Sequence, residues 1–271
     1  MTQPSPLMIE QSDAVLLATE IRNAAEKAVR AGARGAALEA NFEDEMKPVL
    51  KDAAKRMGVE IEINAQFTII GAGRGGGIGK ADLVFSNVIV ELKAPGIFDH
   101  SVGCKFAAPK VTDALTETPR LPAALPAGNK EAVIELTRYI IGQAREGHGE
   151  KWAEHLGDYA GVGCDGFQIF FVRYLPPLQR FDVSETSPVS EKEFAPIHRL
   201  LLLMRAARKR ALNANSLSAD FAIVEQGRAN VVNPLAQDII KQFYTKVSEA
   251  VEQDAALPNK GAAVRARYSE W

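Results

Sequence analysis

The sequence predicts an α/β fold, a mixed central β-sheet flanked by helices. Two observations carry that prediction. Apolar residues recur first at helical spacing, then at period two, then at helical spacing again. Two adjacent strand patterns are also separated from a later one by a helical stretch, the order expected of an antiparallel hairpin followed by a crossover connection. At 271 residues and 46% hydrophobic content, the chain is long enough and apolar enough to bury a substantial core.

Residues 12–31 read as an amphipathic helix with Val15, Leu16, Ile21, Ala24, Ala25 and Val29 on its apolar face, closed by Gly32. A second helix is expected over 36–57, ending at Gly58, with Phe42, Met46, Val49, Leu50 and Ala53 as its stripe. Pro48 inside it should kink the helix or start a new turn. From Val59 the side chains alternate, as in a half-buried strand, through 67–70. A glycine-rich segment, 71–79, follows. Strands at 81–85 and 88–93 are joined by Ser86-Asn87. Residues 98–130, rich in Pro, Ala, Thr and Lys, read as a long loop, and 131–146 as a helix. Asp165-Gly166 introduces a strand over 167–174, stopped by Pro176-Pro177. Helices are expected at 191–211 and 233–252. The domain reading is an α/β domain over 1–184 and a helical extension or connector over 185–271, leading towards a further domain.

The net charge of −2 neither favours nor excludes nucleic acid, because what matters is where the basic residues lie. Cys104 and Cys164 lack zinc-site spacing and fit a reducing compartment. No basic segment followed by an apolar run opens the chain, and the apolar cluster 200–204 is far too short to span a bilayer. A soluble, cytoplasmic protein without membrane association is the expectation.

The chemistry concentrates in the hairpin. If Ser86-Asn87 is a two-residue turn, the cross-strand pairs are Phe85–Val88, Val84–Ile89, Leu83–Val90 and Asp82–Glu91. Two carboxylates then stand side by side, and Lys93 falls on the same face because side chains alternate. Leu83, Val90 and Leu92 point the other way. Like charges directly opposed are destabilising, and a hard divalent cation between them relieves the repulsion. Asp82 and Glu91 are therefore the expected Mg²⁺ ligands, with the Leu92 carbonyl as a further one. Lys93 is placed to orient water or offset charge on a phosphate. Both charges on the second strand lie in a nearly continuous apolar run, which argues against a plain surface hairpin.

Asp82 together with Asn87-Val-Ile-Val-Glu91-Leu-Lys93-Ala-Pro-Gly96 resembles the PD-(D/E)xK nuclease motif. More narrowly, it resembles the nuclease domain at the N-terminal side of restriction and phage-defence enzymes that carry a methyltransferase or helicase. Glu39 ahead of Pro48-Val-Leu50 matches the family's earlier helix. Glu135-Leu-Thr-Arg-Tyr139 stands where the family has Gln-Leu-x-x-Tyr, and Asp165-Gly166 matches its turn into a later strand. The resemblance covers about residues 36–175. It implies a restriction-endonuclease-like core and a Mg²⁺-dependent endodeoxyribonuclease in which Mn²⁺ can substitute. Double-stranded DNA is the implied substrate. A fused or associated methyltransferase or helicase is the implied partner, and a homodimer is left open. Glu39 would complete the acidic site, Glu43 one turn later is the competing acid, and Glu135 and Tyr139 would be peripheral. The alternative is a catalytically silent DNA-binding or assembly module of a larger defence protein.

Gly71-Ala-Gly73-Arg-Gly-Gly76 matches a dinucleotide-binding pattern, but a strand rather than a helix is expected after it. Arg74 and Lys80 are candidate DNA-phosphate contacts, as are Lys105 and Lys110 in the long loop and the run Arg205, Arg208, Lys209 and Arg210. The four histidines share no ligand spacing in the sequence.

Overall fold

The computed structural model describes residues 11–57, 64–69, 79–107 and 119–209, of which 11, 64–67 and 205–209 are described by backbone alone. The chain divides into two compact units, Met1–Ala222 and Ile223–Trp271, and every described residue belongs to the first. The expected helix at 233–252 and the glycine-rich segment 71–78 lie outside the described residues.

The architecture is mixed α/β. Among the described residues, eight strands form one sheet: β1 (Asn64–Ile69), β2 (Gly79–Phe85), β3 (Val88–Leu92), β4 (Cys104–Ala107), β5 (Ala160–Cys164), β6 (Gln168–Leu175), β7 (Arg180–Val183) and the short β8 (Ser187–Pro188). Their order is β1-β2-β3-β5-β6-β7-β4, with β8 also beside β6. All neighbours are antiparallel except β3 and β5, which run parallel. A parallel pair needs a crossover, and α3 (Ala127–His148) supplies it. The predicted hairpin and crossover are therefore both present.

Helices cover the sheet on both faces. On one lie α1 (Gln11–Arg30), α2 (Ala36–Arg56) and α5 (Phe194–Lys209), packed against Leu83, Phe85, Val88, Val90, Leu92, Val162 and Phe171. On the other lie α3 and the single turn α4 (Trp152–His155), packed against Val84, Ile89, Phe170 and Val172. Hence β3 is buried along its whole length, as its continuous apolar run requires.

Several expectations need correction. In α1, Leu16 and Val29 are exposed. The buried face is Ala14, Leu17, Ala18, Ile21, Ala24, Ala25 and Ala28, a mostly alanine seam that lets α2 and α5 approach closely. In α2, Pro48 sits on the exposed side and the helix continues through it. The 98–130 segment is not only loop: it contains β4, and α3 starts at Ala127. The crossover leads to β5, a strand the sequence reading missed, and β6 follows after the Asp165-Gly166 turn. Packing also continues past residue 184. β8 pairs with β6, and α5 buries Ile197, Leu200, Leu201, Leu203 and Met204 in the same core as α1.

The glycines of β5 explain why it was missed. A Cβ on Gly161 would press on Leu136 of α3 at 3.2 Å, and one on Gly163 would fall 2.4 Å from the ring of Phe170. The strand is thin where neighbouring groups must come close, so it carries no strand-forming side chains there.

The chain leaving β3 is tied down at two points. Asp165, fully buried, accepts hydrogen bonds from the Phe167 and Gln168 amides at its own turn and from the Phe98 amide at 2.8 Å. Asn129, in the first turn of α3, accepts from the Asp99 amide and donates to the Asp99 carbonyl and to Thr186 Oγ1, each at 3.0 Å.

Gly163→Ala should destabilise the fold by about 1–3 kcal/mol, the usual cost of overpacking. Val102→Ala, at a side chain 86% exposed, should stay within about 0.5 kcal/mol. Urea denaturation of both variants checks this, and equal midpoints would contradict the close approach of β5 and Phe170.

Candidate active site

The turn falls at Ser86-Asn87, with Ser86 at φ 51°, and the register is Leu83–Val90, Val84–Ile89 and Phe85–Val88, as the sequence predicts. One step further the ladder stops. β2 stays paired with β1, through Ala81 to Gly79, while β3 stays paired with β5 through Leu92. The two strands part, and Asp82 fills the gap: its Oδ2 accepts a hydrogen bond from the Leu92 amide at 2.7 Å. Asp82 and Glu91 therefore do not form the expected ladder pair. They remain close enough for the charge on Asp82 to raise the pKa of Glu91.

Glu91 is 3% exposed. One carboxylate oxygen, Oε1, accepts from Lys93 Nζ at 2.8 Å; the other, Oε2, is buried with no hydrogen-bond partner. A buried, unpartnered carboxylate oxygen is costly, and such exceptions call for an explanation. Lys93 has its ammonium between three acids: Glu135 at 2.7 Å, Glu91 at 2.8 Å and Glu39 at 3.8 Å. Glu39 and Glu43 are one turn apart on α2. Glu43 is the more buried, is held by Lys47 at 3.0 Å, and acts more strongly on Asp82 than Glu39 does. Both acids suggested by the sequence thus reach the site, from the helix layer opposite α3.

Glu135 is not peripheral. It lies on α3 one turn before Tyr139 and is the carboxylate nearest Lys93. Tyr139 donates its hydroxyl to the Lys80 carbonyl at 2.8 Å, which fixes α3 to β2 above the site. The i, i+4 spacing of Glu135 and Tyr139 in the sequence was the signal that both face one way.

The electrostatics follow from burial. Desolvation pushes the Asp82 carboxyl up to about 7; Glu43 and Glu39 add to this, while the Leu92 amide and Lys93 oppose it. Glu91 is raised well above the usual carboxylate range, first by burial and then by Asp82, against the pull of Lys93. Burial lowers the Lys93 pKa, but Glu91 and Glu135 outweigh it and hold the ammonium charged. Burial and the surrounding acids also raise the Tyr139 hydroxyl. Five carboxylates share this region with two lysines, Lys47 and Lys93. The donor set is therefore all-oxygen and in excess of its positive charge, with one buried oxygen free, and it fits a hard divalent cation.

Of the proposed phosphate contacts, Lys80 and Lys105 are the two whose side chains are described, and they lie on well-separated strands. Lys80 is exposed on β2 beside the site. Lys105 is exposed on β4, five strand spacings from β2, roughly 24 Å at the usual interstrand distance. Arg205, Arg208 and Lys209 are on α5, where only the backbone is described, and Arg74, Lys110 and Arg210 lie outside the described residues. The glycine-rich segment is followed by β2, a strand, as expected.

The chain matches no protein-family model, no curated protein and no solved structure. Among the described residues, no helix is long and apolar enough to cross a membrane. Both cysteines are free.

The raised Asp82 pKa sets a pH dependence. Between the unfolded value near 3.9 and about 7, the folded state holds a proton that the unfolded state has lost. Stability from this group therefore falls as pH rises through that window. Asp82→Asn keeps an acceptor for the Leu92 amide and removes the charge. It should gain on the order of 1–3 kcal/mol over wild type at pH 8 and nothing at pH 4. Denaturant melts across pH 4–8 in a chelator check this, since the difference between the two proteins isolates Asp82; parallel curves would contradict it.

Proposed function

We propose that the chain is a metal-dependent endonuclease of the PD-(D/E)xK type that hydrolyses DNA phosphodiester bonds in restriction or phage defence. The observation that carries this reading is the orphaned Glu91 Oε2, buried beside Asp82 with the Lys93 ammonium two residues on. A divalent cation would relieve both that oxygen and the excess of five carboxylates over two lysines around it.

Asp82 and Glu91 would hold Mg²⁺, or Mn²⁺ in its place, with the Leu92 carbonyl as a further ligand and Glu39 or Glu43 completing the acidic side. When bound, the cation would polarise the scissile phosphodiester and lower the pKa of the attacking water. The protein's own contribution lies in position. The Leu92 amide fixes the Asp82 carboxylate, and the anchored segment after β3 fixes the backbone from which Lys93 projects. Lys93 is charged throughout the neutral range, so it serves to orient water and to offset charge on the phosphate rather than as a base. Glu135 positions Lys93 from α3. Double-stranded DNA is the proposed substrate, a fused or associated methyltransferase or helicase the proposed partner, and a homodimer is one arrangement that would cut both strands. The cytoplasm is the proposed compartment.

Plasmid cleavage with Mg²⁺ or Mn²⁺ tests the reading. Lys93→Ala should lose roughly 100-fold or more, the usual loss on removing a preorganised charge-stabilising donor. Glu135→Gln, which keeps an acceptor beside Lys93, should lose less, roughly 10–100-fold, as supporting groups around a metal site do. Cleavage undiminished in Lys93→Ala would remove the assigned site. No cleavage by wild type with either metal would favour the silent DNA-binding module.

A further inference from the structure

At the far end of α3, three side chains that share no ligand spacing in the sequence come together: His148, His155 and Asp158 each offer an atom within 4.8 Å of the other two. We infer that they form a second metal site, distinct from the acidic one, for a borderline transition-metal dication such as Zn²⁺. The inference does not rest on the nuclease reading.

His148 is the last residue of α3, His155 ends α4, and Asp158 ends the 3-10 turn Leu156–Asp158. Three helix ends within eleven residues, with a 3-10 turn over Gly149–Lys151 between the first two, thus fold one short stretch of chain back on itself. His155 Nδ1 lies 2.7 Å from Asp158 Oδ2. The His148 and His155 rings stack at 3.7 Å with only 7° between their planes. A metal would bind through the lone pair of a ring nitrogen on each imidazole. The C-terminal end of α3 adds partial negative charge at His148. The neighbouring cation, Arg145, lies over the Trp152 ring at 4.7 Å.

Two imidazole nitrogens and one carboxylate oxygen make the donor set of a three-ligand zinc site with a fourth position open. Magnesium prefers oxygen ligands, so the two sites should sort the two metals by chemistry. Zinc–ligand bonds near 2.0 Å bring ligand atoms to about 3.3 Å from one another, so binding would turn the His148 and His155 rings out of their present stacking. The consequence is structural. The metal would staple the turn between α3 and β5, the crossover on which the parallel pairing of β3 depends. Thirteen residues of helix, roughly 20 Å, separate it from Glu135.

Calorimetric titration of the chelator-treated full chain with Zn²⁺, paired with thermal melts, tests the inference. Wild type should bind one ion that survives Glu91→Gln, gain several degrees in Tm, and with Co²⁺ develop the visible bands of a low-symmetry four-coordinate site. His148→Ala and Asp158→Asn should each weaken binding at least tenfold, and His148→Ala with His155→Ala should abolish it. Mg²⁺ should not compete. Absence of Zn²⁺ binding, or binding unchanged in the double variant but lost in Glu91→Gln, would overturn the site.

Discussion

The hydrogen bond from the Leu92 amide to Asp82 sits where two demands on the sheet conflict. β2 must follow β1, and β3 must follow its parallel neighbour β5, so the hairpin cannot stay closed to its open end. An opened hairpin exposes backbone donors inside the protein, and an unsatisfied buried amide costs free energy comparable to a lost hydrogen bond. Asp82 meets that need with its side chain. Its charge is thereby fixed in a place where desolvation and neighbouring acids both disfavour it. Everything at the site follows from that arrangement: the crowding of Glu91, the recruitment of Lys93, and the approach of acids from α2 on one side and α3 on the other.

A group of acids with too few cations is unstable in isolation, and only surrounding structure can hold it. Here that structure is the covering of β3 on both faces and the anchoring of the chain just beyond it by Asp165 and Asn129. The cost is local: at Glu91 a buried carboxylate oxygen is left without a hydrogen-bond partner. Proteins tolerate such local cost where a ligand is meant to relieve it.

What was legible in the sequence was what depends on near neighbours. The turn at Ser86-Asn87, the shared face of Glu91 and Lys93, and the opposite, core-facing set Leu83, Val90 and Leu92 all follow from a period of two over a dozen residues. What was hidden depends on partners far along the chain. β5 reads as loop because Gly161 and Gly163 are chosen by Leu136 and Phe170, not by strand propensity. Leu17 rather than Leu16 is buried because an alanine seam, not the larger side chains, sets the face of α1. α5 reads as an appendage because its apolar cluster gives no hint that α1 will cover it. Within the site, Asp82, Glu91 and Lys93 were brought together by strand spacing and Glu39 by the family resemblance, whereas the reach of Glu135 to Lys93 needed the crossover geometry. The histidine cluster was invisible for a similar reason: three helix ends, not a repeat in the sequence, bring it together.

The parallel pairing of β3 with β5 joins residues about seventy positions apart. Contacts of that span are entropically late in folding, because a long loop must close before they repay its cost. The β2–β3 hairpin, by contrast, closes over two residues and can form early. A nascent or partly refolded chain would therefore display the hairpin with its carboxylates still hydrated and ordinary in acidity. The unusual ionisation belongs to the folded molecule alone, because the burial that causes it comes from helices and a strand partner distant in the sequence.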